Sequence, residues 1–289
     1  MSAPPRIAFS TLAFPGTTLA AAASRGRRWG YAGIELRLID GELIDPSMPA
    51  SERARVKRIL TAAGLPVVAV DSSIRLTDDD PGPELRRFLE LASDWESPLI
   101  RVFGGTLADR EPPHQEQPHQ EQPHQEQPHR EQLRAAARVL EAAAPLARRL
   151  GVAIGVETHD DFSASSVVAE LLALTDPGPD PAWVGAVWDS HHPHRMGERP
   201  AEVYANLSPR ILLAQVKDAR RTPGGGWQLV LLGAGEVPVA DMLGLLMAGG
   251  YPHWISVEWE KHWHPEIEAP EIALPQHLEL LTSWLEAAQ

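Results

Sequence analysis

The chain has 289 residues, of which 43% are hydrophobic and 22% charged, the composition of a globular protein able to bury a sizeable core. Its formal charge of −13 argues against a nucleic-acid backbone as partner, because such binders usually carry a basic face. With no cysteine in the chain, disulfides, thiolate nucleophiles and thiolate metal sites are excluded.

The opening stretch "MSAPPRIAFS" lacks the basic flank and apolar core of a secretion signal. No apolar run approaches the roughly 20 residues needed to cross a bilayer, so a cytoplasmic protein without a membrane partner is expected. Residues 6–12, 32–38, 66–71 and 98–103 read as strands in the first half, and 152–157, 184–189, 211–217 and 254–259 in the second. Between them lie helical patterns such as "TLAAAASRGRRWG", "SERARVKRILTAAG" and "ADMLGLLMAGG", the second stopped by Gly64. Eight strands, each followed by a helix, predict an α/β fold, a single (β/α)8 TIM barrel spanning 1–289. A doubly wound open sheet fits less well, since no GxGxxG turn follows the first strand.

One segment breaks the rhythm. "PPHQEQPHQEQPHQEQPHREQ" (112–132) repeats a five-residue unit in the loop after the fourth strand. A proline every five residues opposes both helix and strand. Five is also a poor period for gathering ligands, because each step rotates a helical histidine by about 140°. His114, His119, His124 and His129 therefore share no face, and the tract reads as a solvated, low-complexity insertion.

In a barrel of this kind, functional groups sit at the C-terminal ends of the strands. The last four strands end on or near Glu157, Asp189, Gln215 and Glu258. A lone acid at a strand end is usually a helix cap or a partner for a loop arginine. Three carboxylates around one barrel axis instead call for a cation to neutralise them. Glu35 and Arg37, two apart at the end of the second strand, are expected to pair with each other.

The motifs "GVETHDDFS", "WDSHHPHRMGE", "QVKDA", "LLGAGEVP" and "GYPHWISVEWEKHWHPE" resemble, in order and spacing, the sugar phosphate isomerase/epimerase group of xylose-isomerase-like TIM barrels. The resemblance covers nearly the whole chain apart from the repeat. It implies one divalent ion held by Glu157, Asp189, Gln215 and Glu258. The third position departs from the commonest pattern, with Gln where many members have His. An all-oxygen donor set favours Mn²⁺ or Mg²⁺ over Co²⁺ or Zn²⁺. The family pattern also places His192, three residues after Asp189, against substrate, with His159, Arg195 and Lys217 as further substrate-binding candidates.

The chemistry implied is proton transfer on a ketose or related keto-polyol through an enediolate that the metal stabilises, with Glu157 and Glu258 as the proton-carrying pair. Returning the proton to the other face gives epimerisation, and to the neighbouring carbon isomerisation. Expelling a β-hydroxyl makes the enzyme a dehydratase of the keto-inositol or dehydroshikimate type, an alternative that Gln215 keeps open. A non-catalytic sugar-binding subunit is the other alternative, and a homo-oligomer is compatible with either. A DNA-repair endonuclease of the same fold is disfavoured, because "AVDSS" and "RVFGG" end the third and fourth strands without the histidines of a zinc cluster. No phosphate cradle is evident, since "TPGGGW" (222–227) reads as a flexible loop, which favours an unphosphorylated substrate.

Overall fold

Runs of Val, Ile, Leu and Ala buried on both faces form the strands, as a parallel sheet covered by helices requires. They are β1 Ile7–Ser10, β2 Gly33–Leu36, β3 Val67–Arg75, β4 Leu99–Phe103, β5 Ala153–Glu157, β6 Val184–Asp189, β7 Ile211–Val216 and β8 Trp254–Val257. Each pairs in parallel with its sequence neighbours, and β8 closes on β1. The computed structural model describes residues 6–108, 126–175, 183–208 and 210–288. Among these, the strands form a closed eight-stranded barrel, each strand followed by at least one helix packed outside it.

The helices start and stop on local chemistry. Thr18 caps Leu19–Trp29, its hydroxyl accepting from Ala21 N at 3.3 Å. Ala50–Ala63 ends at Gly64, whose φ of 64° suits a left-handed cap. Two short antiparallel hairpins, Leu38–Ile39 with Glu42–Leu43 and Asp218–Arg221 with Trp227–Val230, stand on the loops after β2 and β7. They are too short to show an alternation in the sequence. Asp218 braces the second, its carboxylate accepting from the backbone of Ala219, Gly233, Gly235 and Val237.

The end of the proline repeat departs from expectation. Helix Glu126–Leu150 takes in residues 126–132, so this part of the tract is helical and not a solvated loop. Pro128 falls in its first turn, where the backbone N–H has no helical partner to lose. Gln132 is tied to the barrel, its Oε1 accepting from Ala108 N at 2.6 Å. His129 sits on the first turns of this helix. His114, His119 and His124 lie outside the described residues.

Candidate metal centre

The parallel ladder aligns the candidate residues. Asp189 of β6 is level with Gln215 of β7, and Gln215 in turn with Ser256 of β8. Glu258 follows two residues after Ser256 and its N–H still bonds to Val216 O at 3.1 Å, so both side chains share the axial face. One carboxylate oxygen each from Glu157, Asp189 and Glu258 come within 4.8 Å of one another. The three residues are 1%, 0% and 3% exposed.

Gln215 joins them through its orientation. Its Nε2 donates to Glu35 Oε1 at 2.7 Å and reaches Glu258 Oε1 at 3.4 Å. Its Oε1 is buried without a hydrogen-bond partner. Asp189 Oδ2 and Glu157 Oε2 also lack a hydrogen bond. Each does face a cation, Lys217 Nζ at 3.2 Å and Arg101 Nε at 2.9 Å, but off the line a hydrogen bond needs. Buried acceptors left in this condition are costly unless something further binds them.

Charge gives the same result. Glu35, Asp71, Glu157, Asp189 and Glu258 are buried around the axis, against the buried cations Arg37, Arg101 and Lys217. Five carboxyls against three cations leave a deficit of two, which one divalent ion or two protons would fill. Three carboxyls with an unpaired amide oxygen fit a hard divalent cation. Lys217 competes for the same oxygens, lying 2.7 Å from Glu258 Oε2 as well as beside Asp189, and also contacting Glu260.

Burial pushes the Glu157 carboxyl up to about 7 despite Arg101. It raises Asp71 and Asp189 to about 6, against the pull of Arg101 and Lys217 respectively. Glu35 rises well above the carboxylate range through burial, with Asp71 and Glu258 adding to it. Glu258 goes the other way. Burial opposes its ionisation, but Lys217 and then Arg101 outweigh it and hold the carboxyl below its ordinary value.

His159 and His192 stand at the rim of this cluster, their rings edge to face with centroids 4.5 Å apart. Gly105, at φ 97°, turns the loop after β4 so that its carbonyl accepts from Asp161 N, which anchors the His159 loop. His192 Nε2 is 3.3 Å from Lys217 Nζ. Arg195 is not gathered here: it is exposed and donates to Ser163 Oγ at 3.0 Å. The expected Glu35–Arg37 pair does not form. Glu35 bonds to Gln215 and Ser256, while Arg37, beyond the end of β2, donates to Asp71 O at 3.3 Å.

Sequence reasoning passed over Asp71, Arg101 and Glu260. Arg101 had a signal, a charge in the middle of the apolar strand "LIRVF", whose ladder partner is Asp71.

The model of the xylose isomerase-like TIM barrel family matches residues 23–284. The chain belongs to that family. Three solved structures that overlay it along nearly their full length show what it is similar to. A 3-keto-D-glucoside 4-epimerase from E. coli is 15% identical, with a TM-score of 0.69 over 98% of this chain and 99% of that one. A probable 3-DHS dehydratase from Bacillus anthracis is 17% identical, with a TM-score of 0.70 over 96% and 98%. The IOLI protein, solved with a zinc atom, is 14% identical, with a TM-score of 0.75 over 98% and 99%. At these identities the overlays establish the fold. No curated protein matches the sequence. No helix among the described residues is long and apolar enough to cross a membrane.

Proposed function

We propose that this chain is a divalent-metal-dependent isomerase or epimerase of an unphosphorylated ketose or keto-polyol. The observation that carries the reading is the convergence of Glu157, Asp189 and Glu258 at the barrel mouth, with the unpaired amide oxygen of Gln215 beside them. These four residues would hold the ion, Mn²⁺ or Mg²⁺ given their oxygen donors. When bound, it supplies Lewis acidity to a carbonyl and a neighbouring hydroxyl, and so acidifies the C–H between them.

The remaining work falls to the chain. Each carboxyl has two oxygens, so holding an ion with one leaves the other for a proton. Before any ion binds, Lys217 keeps Glu258 ionised and burial keeps Glu157 titrating near neutrality. A base and an acid of that kind are what removal and return of one proton need. Glu258 takes the proton next to the carbonyl, and Glu157 returns one from the other side. His159 and His192 line the rim and orient substrate hydroxyls. Lys217 acts from the floor of the site.

Dehydration is the second reading, favoured by the Glu157 carboxyl, which burial raises to about 7 and which can therefore hand a proton to a departing hydroxyl. The test is a screen of ketoses, keto-inositols and dehydroshikimate with the Mn²⁺-loaded protein in D₂O, followed by NMR. Deuterium next to the carbonyl with retained hydroxyls is the expected result. Loss of a hydroxyl selects the lyase, and no exchange on any bound sugar selects a binding protein.

A further inference from the structure

A second group of ligand atoms stands beside the first. Glu157, His159 and His192 each place one donor atom within 4.8 Å of the others. The group shares Glu157 with the proposed centre but uses neither Asp189 nor Glu258.

Three features mark it as more than a chance approach. His159 Nδ1 is 2.8 Å from Asp160 Oδ1, the carboxylate–imidazole pairing that fixes a ring and leaves its other nitrogen free as a donor. Asp160 holds this position at a φ of 50°, unusual for a non-glycine residue, and its Oδ2 lies 3.5 Å from Arg75 Nε. His192 is 6% exposed, and its Nδ1 has no hydrogen-bond partner. Lys217 Nζ meets this ring at its other nitrogen, Nε2, 3.3 Å away, which leaves Nδ1 as the atom without a partner.

We infer that Glu157, His159 and His192 form a second cation site of different preference from the first. Two imidazoles and one carboxylate suit a borderline ion such as Zn²⁺, whereas the neighbouring all-oxygen set suits Mn²⁺ or Mg²⁺. Filling the second site ties up both rim histidines and the shared carboxyl. Zn²⁺ in excess is therefore an inhibitor of the Mn²⁺-loaded protein that acts without displacing Mn²⁺.

The test is a titration of the full-length, Mn²⁺-loaded protein with Zn²⁺, with both metals counted by elemental analysis and Mn²⁺ followed by EPR. The wild type is expected to take up one tight Zn²⁺ while keeping its Mn²⁺. His159→Phe, which keeps a ring against Phe103, loses the tight Zn²⁺ and retains Mn²⁺. Asp160→Asn, which leaves all three ligands in place, weakens Zn²⁺ about 10–100-fold, the usual effect of removing an outer carboxylate. The repeat histidines are common to every variant and cancel in the comparison. Asp189→Asn separates the two sites: it loses Mn²⁺ and keeps the tight Zn²⁺. Co²⁺ in place of Zn²⁺ gives an absorption spectrum typical of nitrogen ligation, which His159→Phe abolishes. One-for-one exchange of Mn²⁺ by Zn²⁺, or a tight Zn²⁺ that survives in His159→Phe, overturns the inference. Failure to bind Mn²⁺ with Zn²⁺ binding intact overturns the proposed centre instead.

Discussion

Lys217→Met is the perturbation that separates the chain's own neutralisation of the site from that supplied by an ion. The Lys217 ammonium lies 3.2 Å from Asp189 and 2.7 Å from Glu258. At an effective dielectric of about 20, each contact is worth roughly 5–6 kcal/mol of attraction. Desolvation of the ammonium offsets much of this, and removing one partner of a buried pair costs about 3–5 kcal/mol net. At roughly 2–4 °C per kcal/mol, the metal-free variant should melt on the order of 10 °C below the metal-free wild type. Mn²⁺ neutralises the same carboxylates and no longer competes with the ammonium, so it should recover most of that loss. The assay is thermal melting after EDTA treatment, with and without Mn²⁺. An equal rise in both proteins on adding Mn²⁺ would refute the claim that ion and ammonium share these oxygens.

Glu157 is raised to about 7 and Asp71 and Asp189 to about 6, so between roughly pH 4 and 7 these carboxyls hold protons in the native state that they lose in the unfolded chain. Their share of the stability of the EDTA-treated protein should therefore fall as pH rises through that window, against the opposite share of His191 and His277, which burial holds neutral. The gain in melting temperature on adding Mn²⁺ should thus grow with pH, and Mn²⁺ uptake at pH 6 should release protons, seen as buffer-dependent heats in calorimetry. Deleting residues 113–125 while keeping the helix from Glu126 should leave the melting temperature and Mn²⁺ stoichiometry unchanged. Loss of the ion in that deletion would overturn the reading of the tract as uninvolved.

Much of the barrel was legible because each buried strand is a short apolar run set off by helical patterns and turn residues. The four candidate ligands were legible too, since parallel strands deliver their C-terminal residues to one mouth. What surrounds them was not. Pairing across the barrel depends on which strands face one another, and a period-two rule speaks only for one strand at a time. Glu35 and Arg37 show this limit. They obey the alternation on paper, yet β2 ends at Leu36 and the two side chains find different partners. Asp71 and Arg101 meet only through the β3–β4 ladder. Glu260 reaches Lys217 from a loop with no strand periodicity at all. The helical end of the repeat was hidden by its prolines, because a first-turn proline looks the same in sequence as one that breaks a helix.

Proton exchange in metal-saturated Glu258→Gln tests the central claim most directly. The change keeps an oxygen donor and nearly the same volume but removes the proton-accepting carboxylate. Deuterium incorporation next to the substrate carbonyl, followed by NMR in D₂O, is expected to fall by about 10²–10⁴ relative to wild type while the bound Mn²⁺ is retained. Exchange at the wild-type rate would contradict it and shift the role of base to His159 or His192.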